Sequence, residues 1–278
     1  MNDLHQRAFR FLEHLAADLS KGEVSFPTFI DATVKVRLAV NDPSVTADRL
    51  ARIISAEPLL SAKVVKLANS AALNQTGKEI SDLKKAVLRV GFAAVRTTAV
   101  AVAMEQLVAS KDLDAFRQTS QTVWQHSLDV AAISYVLARK LTKLNPDEAM
   151  FAGLVHDIGH FYLMSRASKY PELTEHSEEL GPLLQEWHAS VGHAVLDALG
   201  LPEGILKAVD EHELPNYSMP PRNMSDVLIA ANVLTRTPNP LDKPRDPGDR
   251  GNLDEQALRE LLDESELELK SIVQALKT

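Results

Sequence analysis

The chain contains no cysteine. That absence excludes disulfides, thiolate-ligated metal sites and cysteine nucleophiles together, and it suits a reducing compartment. Glycine is scarce at 11 residues, and aromatics make up 5% of the 278 positions. No apolar run approaches the roughly 18 residues that span a bilayer. The most apolar segment, 93–104 (AAVRTTAVAVAM), is short and carries Arg96. The N-terminus, NDLHQRAFRFLEHLAADL, is charged and amphipathic, unlike a signal peptide. An excess of basic charge is missing too: 30 Lys and Arg stand against 38 Asp and Glu, a net charge of −8. Nucleic acid and anionic membrane both demand a basic face, so neither is an expected partner. Cytoplasm is the expected location.

What remains is rich in alanine and leucine, and helix propensity is high throughout. Leu4, Ala8, Phe11, Leu12, Leu15 and Leu19 share one helical face, with Gly22 suited to the position after the helix end. A second helix is expected from Thr46, with Leu50, Ile53 and Ile54 inward, until Pro58 stops it. Leu60, Val64, Leu67 and Ala68 mark a third, and Ser81 is expected to cap a fourth that runs to Gly91. Segment 93–104 has β-branched residues, but its length and alanine content favour a buried helix. Val123 to Leu141 reads as amphipathic. Asn145-Pro146-Asp147-Glu148 is a strong helix start, with Asn capping, Pro at N1 and Glu at N3. Seven of the 14 prolines fall between Pro215 and Pro247, flanking a short helix with Ser225 as its expected cap. The stretch 238–251 (PNPLDKPRDPGDRG) reads as an exposed linker. Leu253 to Leu276 reads as a charged, leucine-bearing terminal helix, fit either to dock on the body or to form a homodimer contact.

Seven of the nine histidines lie between positions 126 and 212. Their centre is Gly-Leu-Val-His-Asp-Ile-Gly-His at 153–160, where His156 and Asp157 are adjacent at a helix end that Gly159 is expected to terminate. Neighbours on a helix diverge by about 100°, yet at a fraying end both can turn toward one ion. His126 sits in Trp-Gln-His-Ser on a separate helix, and His188, His193 and His212 come from later ones. Imidazoles converging with a carboxylate suit zinc, manganese, iron or nickel. His160, four residues after His156, could share its face. His5, His14 and His176 read as solvated, and Trp124 and Trp187 as core packing.

Together with ordered matches elsewhere, these residues resemble the HD superfamily of metal-dependent phosphohydrolases and, more closely, its HDOD branch (HD-related output domain). The resemblance covers roughly residues 15–235. In the first half, Glu57-Pro58-Leu59-Leu60-Ser61 leads into Lys66-Leu67-Ala68-Asn69-Ser70-Ala71 and then Ile80 to Gly91 with Ala86. In the second half the matches are Trp124-Gln-His-Ser, Gly153 to Gly159, His188 to Leu196, Leu201-Pro202 and His212-Glu213. The resemblance implies an all-α, multi-helix bundle: an N-terminal helical lobe (1–115), an HD-like lobe (116–240), then linker and C-terminal helix (241–278). It implies a metal site of His126, His156, Asp157, His188 and His212, with His160, His193, Glu211 and Glu213 as pocket neighbours.

Departures from the pattern bear on activity. Where active HD enzymes close the site with an aspartate on a late helix, Leu228-Ile-Ala-Ala-Asn232 offers Asn232, a neutral oxygen ligand. In the related HD-GYP phosphodiesterases the late motif is His-His-Glu; here it is Glu211-His212-Glu213. His160 stands where those enzymes carry a lysine, and Asn216-Tyr217-Ser218 supplies no Gly-Tyr-Pro. Two metals need several anionic ligands to offset their repulsion, so one divalent ion (Mn, Fe, Ni or Zn) is the most this set is expected to hold. The leading expectation is a non-catalytic signalling module that relays an input to a protein partner by helix rearrangement. The alternatives are a mononuclear metal-dependent phosphohydrolase, with His126, His156, Asp157 and either His188 or His212 on the ion, and a nucleotide-binding sensor.

Overall fold

The computed structural model describes residues 3–21, 35–36, 38–40, 42–175, 180–215, 217–242 and 255–277. Gly22, His176, Asn216, residues 243–251 of the expected linker and 252–254 at the expected start of the terminal helix lie outside them, as do the side chains of Leu4, His5 and Ala8. The described residues form thirteen α-helices and no strand. In chain order, α1 (Asp3–Ser20) precedes α2 (Ala47–Ser55), α3 (Pro58–Ala68) and α4 (Leu83–Ala109). A 3-10 turn, Lys111–Phe116, sits at the expected 115/116 lobe boundary and leads into α5 (Arg117–Leu141). Then come α6 (Pro146–Val155), α7 (Ile158–Ala167), the one-turn α8 (Pro171–Thr174) and α9 (Gly181–Ala198). The remainder is α10 (Glu203–Glu211), α11 (Met224–Leu234), α12 (Glu255–Glu264) and α13 (Glu266–Leu276).

Short polar side chains start these helices by taking up orphan backbone N–H groups. Thr46 Oγ1 accepts from Arg49 N–H at 3.2 Å, and Asn145 Oδ1 accepts from Asp147 N–H at 3.0 Å with Pro146 at N1. Two caps differ from expectation. Asp82, not Ser81, caps α4 through Lys85 N–H at 2.8 Å. Asn223, not Ser225, caps α11 through Asp226 N–H, while Ser225 donates sideways to Glu211. In both cases an Asx side chain in extended backbone lies close by and takes the role.

Gly91 (φ +79°) breaks α4 into two segments, and 93–104 is helical and largely buried. By length and composition α4 could cross a membrane, but most of its apolar window is buried in the bundle. Helix α5 was expected to be amphipathic and is instead buried on nearly every side, because α4, α6, α11 and α13 all pack on it. Trp124 is core, whereas Trp187 is 41% exposed, contrary to expectation. That residue projects from the outer face of α9, whose inner face is taken by Leu184, His188 and Val191.

The terminal helix is two helices, broken at a buried Ser265 whose hydroxyl bonds back to Leu261 O at 2.6 Å. Docking is specific. Lys63 of α3, almost fully buried, donates to Glu105 of α4 at 2.8 Å and to Leu276 O at the C-terminus of α13 at 2.5 Å. Burial pulls this ammonium below the ordinary lysine value, with Glu105 opposing the shift. Arg139 of α5 pairs with Glu268 at 2.6 Å, and Ala72 N–H donates to Ser271. Breaking one partner of a buried pair costs about 3 kcal/mol. Lys63→Met should lower stability by that order and raise amide exchange across 266–276 before the rest of the chain; uniform exchange would contradict the anchoring role.

Candidate metal centre

His156 and Asp157 do not lie on one continuous helix. Helix α6 ends at Val155 with His156 as its C-cap, and Asp157 is the N-cap of α7. The junction turns both side chains inward. Gly159, expected to stop a helix, lies inside α7 instead. A Cβ there would come within 1.9 Å of His188 O and 2.8 Å of Gly192 N on α9. A Cβ at Gly153 would come within 2.7 Å of Ala131 Cα on α5. The two glycines that bracket the His-Asp pair thus let α6 close on α5, the carrier of His126, and α7 close on α9, the carrier of His188. His212 arrives as the C-cap of α10.

The result is a cluster in which His126, His156, Asp157, His160, His188 and His212 are each at most 1% exposed. Four of the rings are oriented alike. Their Nδ1 atoms lie 2.6 Å from Thr237 O (His126), 2.8 Å from Gly153 O (His156), 2.7 Å from Gln185 O (His188) and 2.5 Å from Val209 O (His212). A carbonyl only accepts, so each Nδ1 carries the proton and donates it. The Nε2 lone pairs then point inward. His126 Nε2 and His156 Nε2 are 3.2 Å apart, and they lie 3.7 and 3.2 Å from Asp157 Oδ2. On the other side His188 Nε2 and His212 Nε2 are 3.1 Å apart, at 3.9 and 3.7 Å from Asp157 Oδ1. Two three-donor groups therefore share one carboxylate.

The electrostatics follow from that arrangement. Burial alone would raise the Asp157 carboxyl, but His156, its hydrogen bond, His160 and His126 hold it well below the usual carboxylate range. Burial alone would lower His156, yet the adjacent Asp157 lifts it above the ordinary histidine value. Burial pushes His126 down despite Asp157. His160 and His212 are driven well down, by burial first and by neighbouring imidazoles second. The same contact that lifts His156 therefore holds Asp157 down. Across the other group the Nε2 atoms of His188 and His212 face each other at 3.1 Å, and the fully buried Oδ1 has no hydrogen-bond donor. A divalent cation at 2.0–2.2 Å from such atoms would resolve both conflicts, and the all-nitrogen-and-oxygen donor set suits Mn, Fe, Ni or Zn. The residues fit a metal. With two groups present, the geometry does not restrict the centre to the single ion expected.

The remaining expected residues fall in different places. His160 stacks on His188, with ring centroids 4.0 Å apart and planes within 8°, and its Nε2 is 3.9 Å from Asp157 Oδ1. Glu213 Oε1 lies 3.9 Å from His188 Nε2 and brings a second carboxylate to that group. Glu211 faces away, bound by Ser225 and near Lys207, and His193 pairs with Asp210 at the surface. Asn232 is buried on α11 but makes no hydrogen bond to the cluster; Asn239, seven residues on, does so instead. Asn239 is 5% exposed and donates Nδ2–H to Asp157 Oδ2 at 2.8 Å. Its segment was read as exposed linker. Residues 237–242 instead form a strap across the site: Thr237 O receives His126, Asn239 Oδ1 receives Leu241 N–H, and the Asp242 carboxylate acts on His156. Pro238 and Pro240 remain exposed, which is all the composition signalled.

Gly159→Ala should overpack the α7–α9 contact, costing about 3 kcal/mol or more, and should weaken metal binding with it; a neutral result would refute the close-approach role. The pH response of metal-free protein is a second check. His126, His160 and His212 bind protons less readily folded than unfolded, so the unfolded state takes up more protons as acidity rises. Only His156 opposes this. Thermal stability in chelator should therefore decline as pH falls below about 6.5, the ordinary histidine value; a flat profile down to pH 5.5 would contradict the assignment.

Comparison with known proteins supplies the family. A model of the HDOD domain matches residues 26–215. A solved structure from Shewanella amazonensis SB2B, provisionally described as a metal-dependent phosphohydrolase, is 26% identical with a TM-score of 0.73, covering 100% of both chains. An HDOD domain protein of unknown function from Geobacter sulfurreducens is 25% identical with a TM-score of 0.62, covering 99% of each. An uncharacterized protein of Treponema pallidum (strain Nichols) is 25% identical over 240 residues, 80% of this chain. The chain spans under half, 44%, of that relative's length. With more than half of its length matched by the family model and its helices arranged as in these structures, the chain belongs to the HDOD domain family.

Proposed function

We propose that this chain is a regulatory HDOD module that holds a divalent ion in a closed centre and acts on a protein partner in the cytoplasm without turning over a substrate. The observation that carries this reading is the burial of the whole cluster, every member at most 1% exposed beneath the 237–242 strap. Closed, fully protein-ligated centres are the structural kind, whereas catalytic centres keep a position open to water and substrate. His188, His212 and Asp157 Oδ1, with Glu213 beside them, form the group best prepared for an ion, because two imidazole nitrogens and an Oδ1 that accepts no hydrogen bond meet there. The four Nδ1–H to carbonyl bonds fix each ring's tautomer and direction, and Asn239 does the same for Asp157. Bound there, an ion ties the start of α7, α9 and the end of α10 together, so its presence favours one arrangement of those helices.

A second reading, a metal-dependent phosphohydrolase, is favoured by the two donor groups sharing Asp157 and by the description attached to the Shewanella relative. An ion at this place would supply Lewis acidity toward a phosphoryl oxygen and a lowered pKa for water. Calorimetry with Mn²⁺ and Ni²⁺, run beside turnover assays on bis-p-nitrophenyl phosphate, cyclic dinucleotides and nucleotides, separates the two. The proposal expects saturable metal binding, weakened at least tenfold by His188→Ala, and no hydrolysis above a His156→Ala background. Multiple turnover abolished by His156→Ala would replace it with the second reading, and no affinity for either ion would remove the metal from both.

A further inference from the structure

A cavity of about 450 Å³ between α5 and the docked pair α12–α13 is left unexplained by the histidine cluster. Small-molecule sites have volumes of about 300–1,000 Å³, a mostly apolar lining and a few convergent polar groups. This cavity matches on each count. Its body is apolar: Ala132 and Ile133 from α5 face Leu262, Leu269 and Val273 from the terminal helices. Its polar end is basic. Lys277 Nζ donates to the neutral side-chain carbonyl of Gln125 at 2.8 Å, so this bond leaves its positive charge uncompensated. Arg236 and Lys270 stand at the same cavity, each with a carboxylate partner, Asp263 and Glu266.

The remaining acid of the lining is Asp129, and it is already engaged by neighbours. Gln125 Nε2 donates to its Oδ1 at 3.0 Å and Thr237 Oγ1 donates to its Oδ2. An incoming carboxylate therefore meets an acid already screened by donors and a lysine whose hydrogen bond among the described residues goes to a neutral amide. The geometry points to a binding site for a small amphipathic organic anion, with an apolar body between α5 and α12–α13 and its acidic end at Lys277. This site is separate from the histidine cluster, and no residue is common to both.

One residue joins the two places. Thr237 gives its hydroxyl to Asp129 in the cavity wall and its carbonyl to His126 Nδ1 at 2.6 Å. Occupancy that moves Asp129 or the α12–α13 wall would shift the acceptor that orients His126. An effector of this chemistry would thus change the metal affinity of the His126 group; this coupling rests on the metal-centre reading, while the binding itself does not.

The test uses full-length protein in chelator, so that metal plays no part in the first arm. 8-Anilinonaphthalene-1-sulfonate is titrated by fluorescence, with decanoate, decanol and decyltrimethylammonium as competitors. The expected result is one saturable site, displaced by decanoate at least tenfold better than by the cation. Lys277→Glu, an exposed change, should weaken binding at least tenfold, and Ile133→Trp should abolish it by filling the cavity. If Ile133→Trp fails to fold, Lys277→Glu decides alone. Equal binding in wild type and Lys277→Glu, equal displacement by cation and anion, or no saturable binding would each overturn the proposal. Binding of a partner protein at this face that decanoate leaves unaffected would overturn it as well. In the second arm, Mn²⁺ affinity is measured with and without decanoate: a change of threefold or more supports the relay through Thr237. An unchanged value removes the relay and leaves the site standing.

Discussion

A single carboxylate, buried with almost no exposure, sets the terms for the rest of this molecule. Asp157 stays ionised in the interior because imidazoles surround both of its oxygens and Asn239 donates to one of them. An unpaired buried charge would cost several kcal/mol. Five helices or their ends must therefore deliver histidines to within about 4 Å of it, and the backbone must be shaped to allow that approach. Gly153 and Gly159 do the shaping, since a methyl group at either would strike the backbone of α5 or α9. Each of the four ligand-type rings is aimed by a bond from Nδ1 to a carbonyl, three of them to the residue three places earlier.

The same centre is linked outward. Through Thr237 and Asn239 the strap connects His126 and Asp157 to the segment that precedes the terminal helices. The last of them, α13, is held by Lys63, Arg139 and Ala72, residues from α3, α5 and the loop after α3. A protein surface built from the C-terminal pair therefore sits a few bonded contacts from the cluster. That connectivity supports the regulatory reading proposed above, in which a surface would report the state of the buried centre.

Much of this was legible in the residues and some was not. Helix existence followed from apolar spacing and punctuation, as at Thr46, Pro58 and Asn145. Cap identity shifted by one or two positions at Asp82 and Asn223 because serine and Asx side chains compete for the same role over a short range. The concentration of histidines around Gly153–His160 was visible in the sequence, but not which nitrogen each ring would present, since that depends on carbonyls fixed by the fold. Asn239 was missed because Pro-Asn-Pro carries the composition of an exposed loop, and both prolines are indeed exposed. Only the asparagine between them turns inward. Asn232 was singled out because it occupies the matching helix position, although the chain reaches Asp157 from the following strap. Gly159 read as a stop, since sequence shows that a side chain is missing but not which backbone occupies the space. Trp187 read as core, but it lies on the outward face of α9 beside the inward His188.

Crystals grown with Mn²⁺ and collected near the manganese edge test the account most directly. An anomalous peak between Asp157 Oδ1, His188 Nε2 and His212 Nε2, alone or with a second beside His126 and His156, is the predicted outcome. A map that shows only water between these rings, in protein whose side chains are otherwise arranged as described, would contradict the claim that the buried carboxylate and imidazoles were assembled around a cation.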